Sequence, residues 1–262
     1  MKLAIYQVDA FTDSLFGGNP ACVVPLQAWL PDELLLKIAR ENAVAETAFL
    51  TDNGSSFHLR WFTPEFEMDL CGHATLAAAH YLATIAGAGA DQFVFTGRSG
   101  QLLVTVSGGW YTLDFPSRRP VPAVLPGNLL QSLSIAPAEV LRARDYVLVY
   151  ETETQVRDIQ INRALFDLLN LDPGGVVITA PGVNSDFVSR FFTPQASIFE
   201  DPVTGSAHCS LIPYWAEKLG KQEMLALQLS ERGGRLRCGN RGERVLIAGQ
   251  AKTYSAGVFW TE

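Results

Sequence analysis

The chain has 262 residues, 48% of them hydrophobic and 18% charged, which is the composition of a folded protein with one or two domains. Its net charge of −7 argues against nucleic acid as a partner, because that interaction needs clustered Lys and Arg. The four cysteines form no Cys-x-x-Cys pair, and we find neither a signal peptide nor a run of ~18 apolar residues, so we expect a soluble cytoplasmic protein and no membrane partner.

Taken in chain order, the sequence predicts many short strands and a few helices. A turn is expected at residues 16–20, where glycine, asparagine and proline cluster. Helices are predicted at 31–41, which has one apolar face, and at 72–85, which is rich in alanine and should be buried. The predicted strands of this half are residues 3–9, 44–50, 57–62, 93–95, 102–106 and 111–115.

A proline-rich stretch without periodicity then divides the chain. We expect an N-terminal domain over residues 1–116, a linker over 117–127 and a C-terminal domain over 128–251. The last strand, about 252–262, could pack back on the N-terminal domain.

An internal repeat relates the two halves. Arg60-Trp-Phe-Thr-Pro64 recurs as Arg190-Phe-Phe-Thr-Pro194, 130 positions later. A glycine and a predicted buried helix follow each copy, beginning at Gly72 and at Gly205, and the second helix runs to about Leu219. The repeat predicts two pseudo-symmetric domains that face each other across a cleft.

The helix starts in each half are candidate anion sites. The free N–H groups of a first helical turn attract negative charge, and Gly72 and Gly205 let a ligand approach the backbone closely. We therefore expect a small anionic substrate in the cleft. The alternative is that Thr204 or Ser206 only caps its helix.

Glu46 is the main candidate for acid/base chemistry. In Val44–Leu50, alternation places Glu46 on the same face as apolar residues. A buried carboxylate there could both accept and return a proton. The alternative is a glutamate on an edge strand that faces water.

Asp201 and His73 are further candidates beside the helix starts. Asp201 precedes Pro202 and could equally be a turn residue. His73 lies in the first turn of its helix, where the dipole favours a neutral imidazole. His73 and His80 lack a third ligand at zinc-like spacing, so we expect no metal, and we expect no cofactor.

Cys71 could act as a thiolate base, because a cysteine before a helix N-terminus tends to have a lowered pKa. A symmetric two-base racemase would carry a cysteine at the matching position of the other half. That position is Thr204, which cannot act as a free base near neutral pH. The sequence therefore disfavours a mechanism with a cysteine pair.

Together the motifs resemble the phenazine-biosynthesis PhzF-like family, over nearly the whole chain. That resemblance implies an α+β fold of the diaminopimelate-epimerase type, with two pseudo-symmetric domains, each a barrel-like, mostly antiparallel sheet around a central helix. The motifs that carry it are Phe16–Pro20, Glu46–Phe49, Arg60–Pro64, Cys71–Thr75 and Glu200–Ser206.

The resemblance also implies site residues and an activity. The acid/base glutamate falls on Glu46, with His73, Asp201 and Ser206 in supporting catalytic roles. Such isomerases move a proton within a cyclic, dihydro-hydroxyanthranilate-like carboxylate without a cofactor. This sequence has Ala45 where a serine commonly precedes the glutamate. The departure puts the identity of the substrate in more doubt than the proton transfer. The expected substrate-binding residues are Asn19, Cys71, Gly72, Thr204 and Gly205.

Two other functions remain open from the sequence. An epimerase or dehydratase of an amino or hydroxy acid would use Cys71 opposite Thr204. A non-catalytic protein that binds a small ligand would have the same cleft. A homodimer is expected as the commonest oligomer.

Overall fold

The chain forms one unit, then a second, and finally returns to the first. The computed structural model describes residues 1–171 and 174–262. Met1–Phe115 and Leu246–Glu262 make up the first unit, and Pro116–Val245 make up the second. The expected linker is wrong: part of 117–127 forms a strand that pairs within the second unit, and a short helix begins at Gly127.

The first unit contains two helices and most of its strands before Pro116. Helix α1 spans Asp32–Asn42 and helix α2 spans Gly72–His80, which continues as a π-helical turn over Tyr81–Ile85. The strands are β1 (Lys2–Ala10), β2 (Asn19–Leu26), β3 (Glu46–Asp52), β4 (Phe57–Phe62), β5 (Glu67–Met68), β6 (Gln92–Gly97), β7 (Gly100–Ser107), β8 (Trp110–Pro116) and β18 (Ala251–Trp260).

Mostly antiparallel pairing links these strands. Strand β1 lies between β18 and β2, β2 runs parallel to β3, and β3 is antiparallel to β4. Strand β4 then pairs with β5 and, in parallel, with β6, and the antiparallel pairs β6–β7 and β7–β8 complete the meander. The pairing of β18 with β1 places the last strand in the first unit.

Helix α2 is the centre of the first unit. All nine of its residues are buried, and the helix packs against β1, β2, β3 and β18. Small alanine side chains allow this close approach of strands to the helix from several directions. Helix α1 contacts β3 as well, with Leu35, Ile38 and Ala39 as its buried residues.

Helices α1 and α2 thus both contact strand β3. The expected alternation of buried and exposed residues along this strand is therefore absent. Residues Thr47–Thr51 are all buried rather than alternately exposed. The strand also begins at Glu46, so Val44 lies before it. Alternation in the sequence thus could not assign Glu46 to a solvent or a core face.

In the described part of the second unit there are one long helix, α6 (Gly205–Leu219), and three short ones. Helix α6 ends at Gly220, whose φ of 65° is the left-handed conformation that glycine adopts easily. The short helices are α3 (Gly127–Ser132), α4 (Glu153–Asp158) and α5 (Arg163–Phe166). The strands are β9 (Val121–Pro122), β10 (Glu139–Arg142), β11 (Tyr146–Val149), β12 (Val176–Pro181), β13 (Phe187–Phe192), β14 (Glu200–Asp201), β15 (Glu223–Gln228) and β16 (Gly234–Arg241). Strand β17 (Arg244–Gly249) begins in the second unit and continues into the first.

The second unit repeats the pairing order of the first. Strands β11 and β12 are parallel, as β2 and β3 are, and β12–β13 is antiparallel, as β3–β4 is. Strand β13 pairs with the two-residue strand β14 and, in parallel, with β15, as β4 does with β5 and β6. The main helix follows the two-residue strand in both units. The internal repeat of the sequence is therefore a repeat of topology.

The repeated arginine makes the same kind of contact with a glutamate in each unit. Arg60 donates through Nε and Nη2 to the two carboxylate oxygens of Glu67, both at 2.7 Å. Arg190 makes the same forked contact with Glu200, at 2.7 and 2.9 Å. Both glutamates belong to the two-residue strand before the main helix, so each arginine fixes the backbone that leads into it.

Among the described residues, no helix is long and apolar enough to cross a membrane.

Candidate active site

Five of the expected site residues gather at the start of α2 in the first unit. Asn19 opens β2 and Glu46 opens β3, two neighbouring parallel strands. Cys71 occupies the N-cap position of α2, and Gly72 and His73 are the first two residues of that helix. Because β2 and β3 both pack on α2, their first residues meet its N-terminal turn.

The imidazole of His73 is in the middle of this cluster. Its Nε2 lies 2.9 Å from Glu46 Oε2, and its Nδ1 lies 3.2 Å from Asn19 Nδ2 and 3.5 Å from Cys71 Sγ. The Glu46 carboxylate and His73 Nε2 are close without the alignment of a hydrogen bond. The side chain of Glu46 is 13% exposed and that of His73 is 4% exposed, so the carboxylate is the more accessible partner.

The charge of His73 differs from the sequence-based expectation. Burial alone would lower its pKa, but the Cys71 sulfur and the Glu46 carboxylate raise the pKa of His73 well above the ordinary histidine value. This direction is opposite to the expectation of a neutral imidazole, and the Glu46 carboxylate 2.9 Å from the ring is one physical cause. The raised pKa favours an imidazolium at His73.

The Cys71 thiol also differs from expectation. Burial and the negative charge of Glu46 raise its pKa, and His73 opposes them only in part. The thiol therefore stays protonated near neutral pH. A thiolate base at the helix start, the basis of the epimerase alternative, is disfavoured.

The remaining four expected residues lie together at the start of α6 in the second unit. Asp201 ends β14, Thr204 occupies the N-cap position, and Gly205 and Ser206 open the helix. The Thr204 hydroxyl donates to Asp201 Oδ2 and makes no capping hydrogen bond to the helix. For Thr204, the interpretation as a simple helix cap is therefore wrong.

Gln228, at the end of β15, is a residue of this turn that sequence reasoning missed. It is 1% exposed. Its Oε1 accepts from the Thr204 amide at 2.9 Å, and its Nε2 donates to the Asp201 carbonyl at 2.8 Å and to Thr204 Oγ1 at 3.2 Å. One side chain thus fixes the backbone on both sides of Pro202. A lone glutamine 24 residues after Thr204 gives no signal in a single sequence.

The other histidines have structural roles. His80 bonds to Tyr111 and Thr253, each at 2.9 Å, and burial lowers its pKa to about 4. His208 bonds to the Thr204 carbonyl at 2.9 Å, and burial lowers its pKa to about 4 as well. His58 accepts from the Trp29 indole at 3.2 Å. The hydrogen bonds of His80 and His208 thus hold neighbouring groups in place.

Residues 8–257 match the family described as phenazine biosynthesis-like protein, PhzC-PhzF. An uncharacterized isomerase of Pseudomonas aeruginosa is 49% identical over 257 residues, which are 98% of each chain. A crystal structure of a PhzF family protein from Enterococcus faecalis superposes with a TM-score of 0.94 at 42% identity, covering 100% of both chains. A hydroxyproline epimerase from Agrobacterium vitis, 9% identical, shares the fold alone, with a TM-score of 0.61 over 98% of this chain and 92% of that one.

The fold and these matches define the class as isomerases with the α+β architecture shared by the epimerases. The chain belongs to the PhzC-PhzF family of phenazine biosynthesis-like proteins. The resemblance drawn from the five sequence motifs is confirmed.

Proposed function

We propose that the chain is a cofactor-independent isomerase that moves a proton within a small cyclic carboxylate of the dihydro-hydroxyanthranilate type, with Glu46 as general acid and base. Family membership supports the reaction class. The substrate class follows the family resemblance.

The contact between Glu46 and His73 carries this proposal. A carboxylate that is 13% exposed, 2.9 Å from an imidazole in the first turn of a buried helix, is protected from bulk water and still accessible. The raised pKa of His73 supports an imidazolium, which places a positive charge 2.9 Å from the Glu46 carboxylate. The pair thus supports a general base that is ready to accept a proton.

The proposed reaction conserves every proton. Glu46 takes a proton from a ring carbon, and the electron pair of that C–H bond moves into the conjugated system next to the carboxylate. The protonated Glu46, whose side chain is 13% exposed, exchanges its proton with water and then gives a proton to another carbon of the ring, which restores its carboxylate. No electrons leave the substrate, so the step needs neither an oxidant nor an electron-accepting cofactor.

The other residues are assigned to binding and charge stabilisation. His73 supplies positive charge next to Glu46 while negative charge develops on the substrate. Asp201 and Ser206 have supporting catalytic roles by their place in the family motif. The residues assigned to substrate binding are Asn19, Cys71, Gly72, Thr204 and Gly205, most of them at the two helix starts.

The test is deuterium incorporation from D₂O into a panel of cyclic and acyclic carboxylates, followed by mass spectrometry. The parent protein should label at least one cyclic carboxylate. Glu46→Gln should lower the rate by about 10²–10⁴-fold while the fold is retained, because general acid–base catalysis contributes factors of this size. Glu41→Gln, an exposed glutamate at the end of α1, is the matched control and should label normally. Labelling by Glu46→Gln at the parent rate would refute the role of Glu46.

The same assay separates the two alternatives. A greater loss in Cys71→Ser than in Glu46→Gln, with labelling of an acyclic acid, would indicate a thiol-based epimerase or dehydratase. Binding of a carboxylate without any labelling would indicate a non-catalytic ligand-binding protein. The homodimer and the cytoplasmic location stay predictions, and light scattering of the purified protein tests the first.

A further inference from the structure

The loop between β1 and β2 holds a phenylalanine in an unusual conformation. Phe16 has a φ of 69°, in the left-handed region that a bulky residue seldom adopts, and it is 68% exposed. Phe16 precedes Asn19 of the candidate active site by three positions. We propose that Phe16 is a substrate-binding residue whose ring packs on the face of a cyclic carboxylate. This inference rests on the proposed function, which supplies the cyclic substrate, and adds the residue that selects the ring.

Asp9 fixes the backbone at Phe16. The amide of Phe16 donates to Asp9 Oδ2 at 3.0 Å, and Asp9 is a residue of β1 that is 1% exposed. A hydrogen bond to a buried carboxylate is strong, so the surroundings of Phe16 rather than its local preference maintain the left-handed conformation. Strained residues that are held in this way cluster at sites that bind ligands. The fold thus keeps Phe16 in one conformation although burial stabilises its ring little.

Asn19 connects this loop to the candidate active site. Two glycines separate Asn19 from Phe16, and three residues of extended chain span at most about 11 Å. Asn19 is fully buried, and its Nδ2 lies 3.2 Å from Nδ1 of His73. The other ring nitrogen of His73 lies 2.9 Å from the Glu46 carboxylate. The short chain segment therefore keeps Phe16 close to the pair to which the proton transfer is assigned.

The side chains gathered at the start of α2 are polar. They offer an amide, a carboxylate, a thiol and an imidazole, which belong to Asn19, Glu46, Cys71 and His73. Such groups can bind a carboxylate or move a proton, but sites for small molecules also need apolar or aromatic surface for the rest of the ligand. An aromatic side chain suits a flat, conjugated ring, through stacked or edge-to-face packing. Phe16 supplies this kind of surface.

A second exposed aromatic residue lies beside Phe16. The ring centroids of Phe16 and Tyr254 are 5.7 Å apart with an interplanar angle of 66°, and Tyr254 of β18 is 48% exposed. The two rings form one aromatic surface that is open to solvent, and a bound ring would cover part of it. Exposure alone is common for apolar residues. Phe16 differs because exposure coincides with a left-handed backbone and with a position three residues before Asn19.

Binding of two carboxylates to the purified chain tests the assignment by isothermal titration calorimetry. The probes are anthranilate, a flat cyclic carboxylate, and crotonate, an acyclic one. Phe16→Ala should raise the Kd for anthranilate by about 10-fold, the size expected for a lost aromatic contact, and should change the Kd for crotonate by less than about 2-fold. The matched control is Phe66→Ala, because Phe66 is 57% exposed in the loop between β4 and β5; both Kd values should stay at those of the parent protein.

A second variant, Phe16→Gly, separates a binding role from a structural one. Glycine adopts a positive φ without steric cost, so the Tm should stay the same or rise, while the Kd for anthranilate should rise as in Phe16→Ala. A lower Tm together with an unchanged Kd would show that Phe16 only stabilises the loop. In the labelling assay, Phe16→Ala should raise KM for a cyclic carboxylate more than it lowers kcat, since the ring contact already exists in the ground state.

The calorimetric readout needs no turnover, so this inference and the proposed function can fail separately. An unchanged Kd for anthranilate in Phe16→Ala, or an equal loss of affinity for both probes, would overturn the role of Phe16 and leave Glu46 as the proton carrier. Labelling by Glu46→Gln at the parent rate would remove the proton carrier and leave the ring contact. If the parent protein did not bind anthranilate, the role of Phe16 and the cyclic substrate class would both be wrong.

Discussion

Replacement of Gln228 by alanine should destabilise the turn between β14 and α6. The variant loses hydrogen bonds to the Thr204 amide, the Asp201 carbonyl and the Thr204 hydroxyl. The two bonds to backbone groups contribute about 1 kcal/mol each, and a buried amide left without a partner costs about 1–3 kcal/mol. Since Thr204 is only 6% exposed, water cannot readily replace the glutamine. We expect a loss of about 3 kcal/mol in the free energy of unfolding.

Urea unfolding and thermal melts measure this loss. At roughly 2–4 °C per kcal/mol for a chain of this size, the Tm should fall by about 6–12 °C. Gln222→Ala, an exposed glutamine just before β15, is the matched control and should change little. Under the proposed function, labelling by Gln228→Ala should also slow by about 10-fold or more, because the Asp201 backbone moves. A stability loss below about 0.5 kcal/mol would refute the reasoning, since that is the range of ordinary surface substitutions.

Three further predictions concern the scaffold. Arg190→Lys should lose the forked contact with Glu200 and about 1–2 kcal/mol, measured by urea unfolding; an unchanged midpoint would contradict the role of this contact. The pKa of His80 is lowered to about 4 in the folded protein, whereas a histidine in the unfolded chain has a pKa of about 6.5. The contribution of the neutral His80 to the free energy of unfolding should therefore be full above about pH 6.5 and should decrease as the pH falls toward 4. His80→Gln should reduce this slope between about pH 7 and about pH 5, and an unchanged slope would count against it. Gly18→Ala should lose about 2–3 kcal/mol in thermal melts, because φ is +64° and the new Cβ would lie 2.1 Å from the Ala10 carbonyl oxygen; a melt identical to that of the parent protein would contradict this steric argument.

Much of the fold could be predicted where the sequence has a local signal. Both main helices begin where the glycines placed them, at Gly72 and Gly205, and the second ends at Leu219 as expected. The repeat of Arg60-Trp-Phe-Thr-Pro64 predicted two related halves, and the strand pairings repeat accordingly. These features depend on residues close together in the chain, or on similarity that can be read directly.

The sequence-based predictions were wrong or incomplete where contacts between distant residues determine the local structure. The proline-rich stretch was expected to be a linker, but β9 within it pairs with β10, about 20 residues further on. Burial of β3 against both α1 and α2 removed the alternation on which the assignment of Glu46 depended. Gln228 was missed because its partners, Asp201 and Thr204, lie 24–27 residues away. The helix and strand propensities of single residues contain no information about such long-range contacts.

The sequence alone determined the family, the two helix starts and the identities of the residues beside them, because all three depend on short sequence motifs. Only the tertiary structure decided the state of those residues. Glu46 and His73 are 27 positions apart, and the folding of β3 onto α2 brings them to 2.9 Å. Distance and burial shift pKa values, so the raised pKa values of His73 and of the Cys71 thiol follow from packing rather than from residue type.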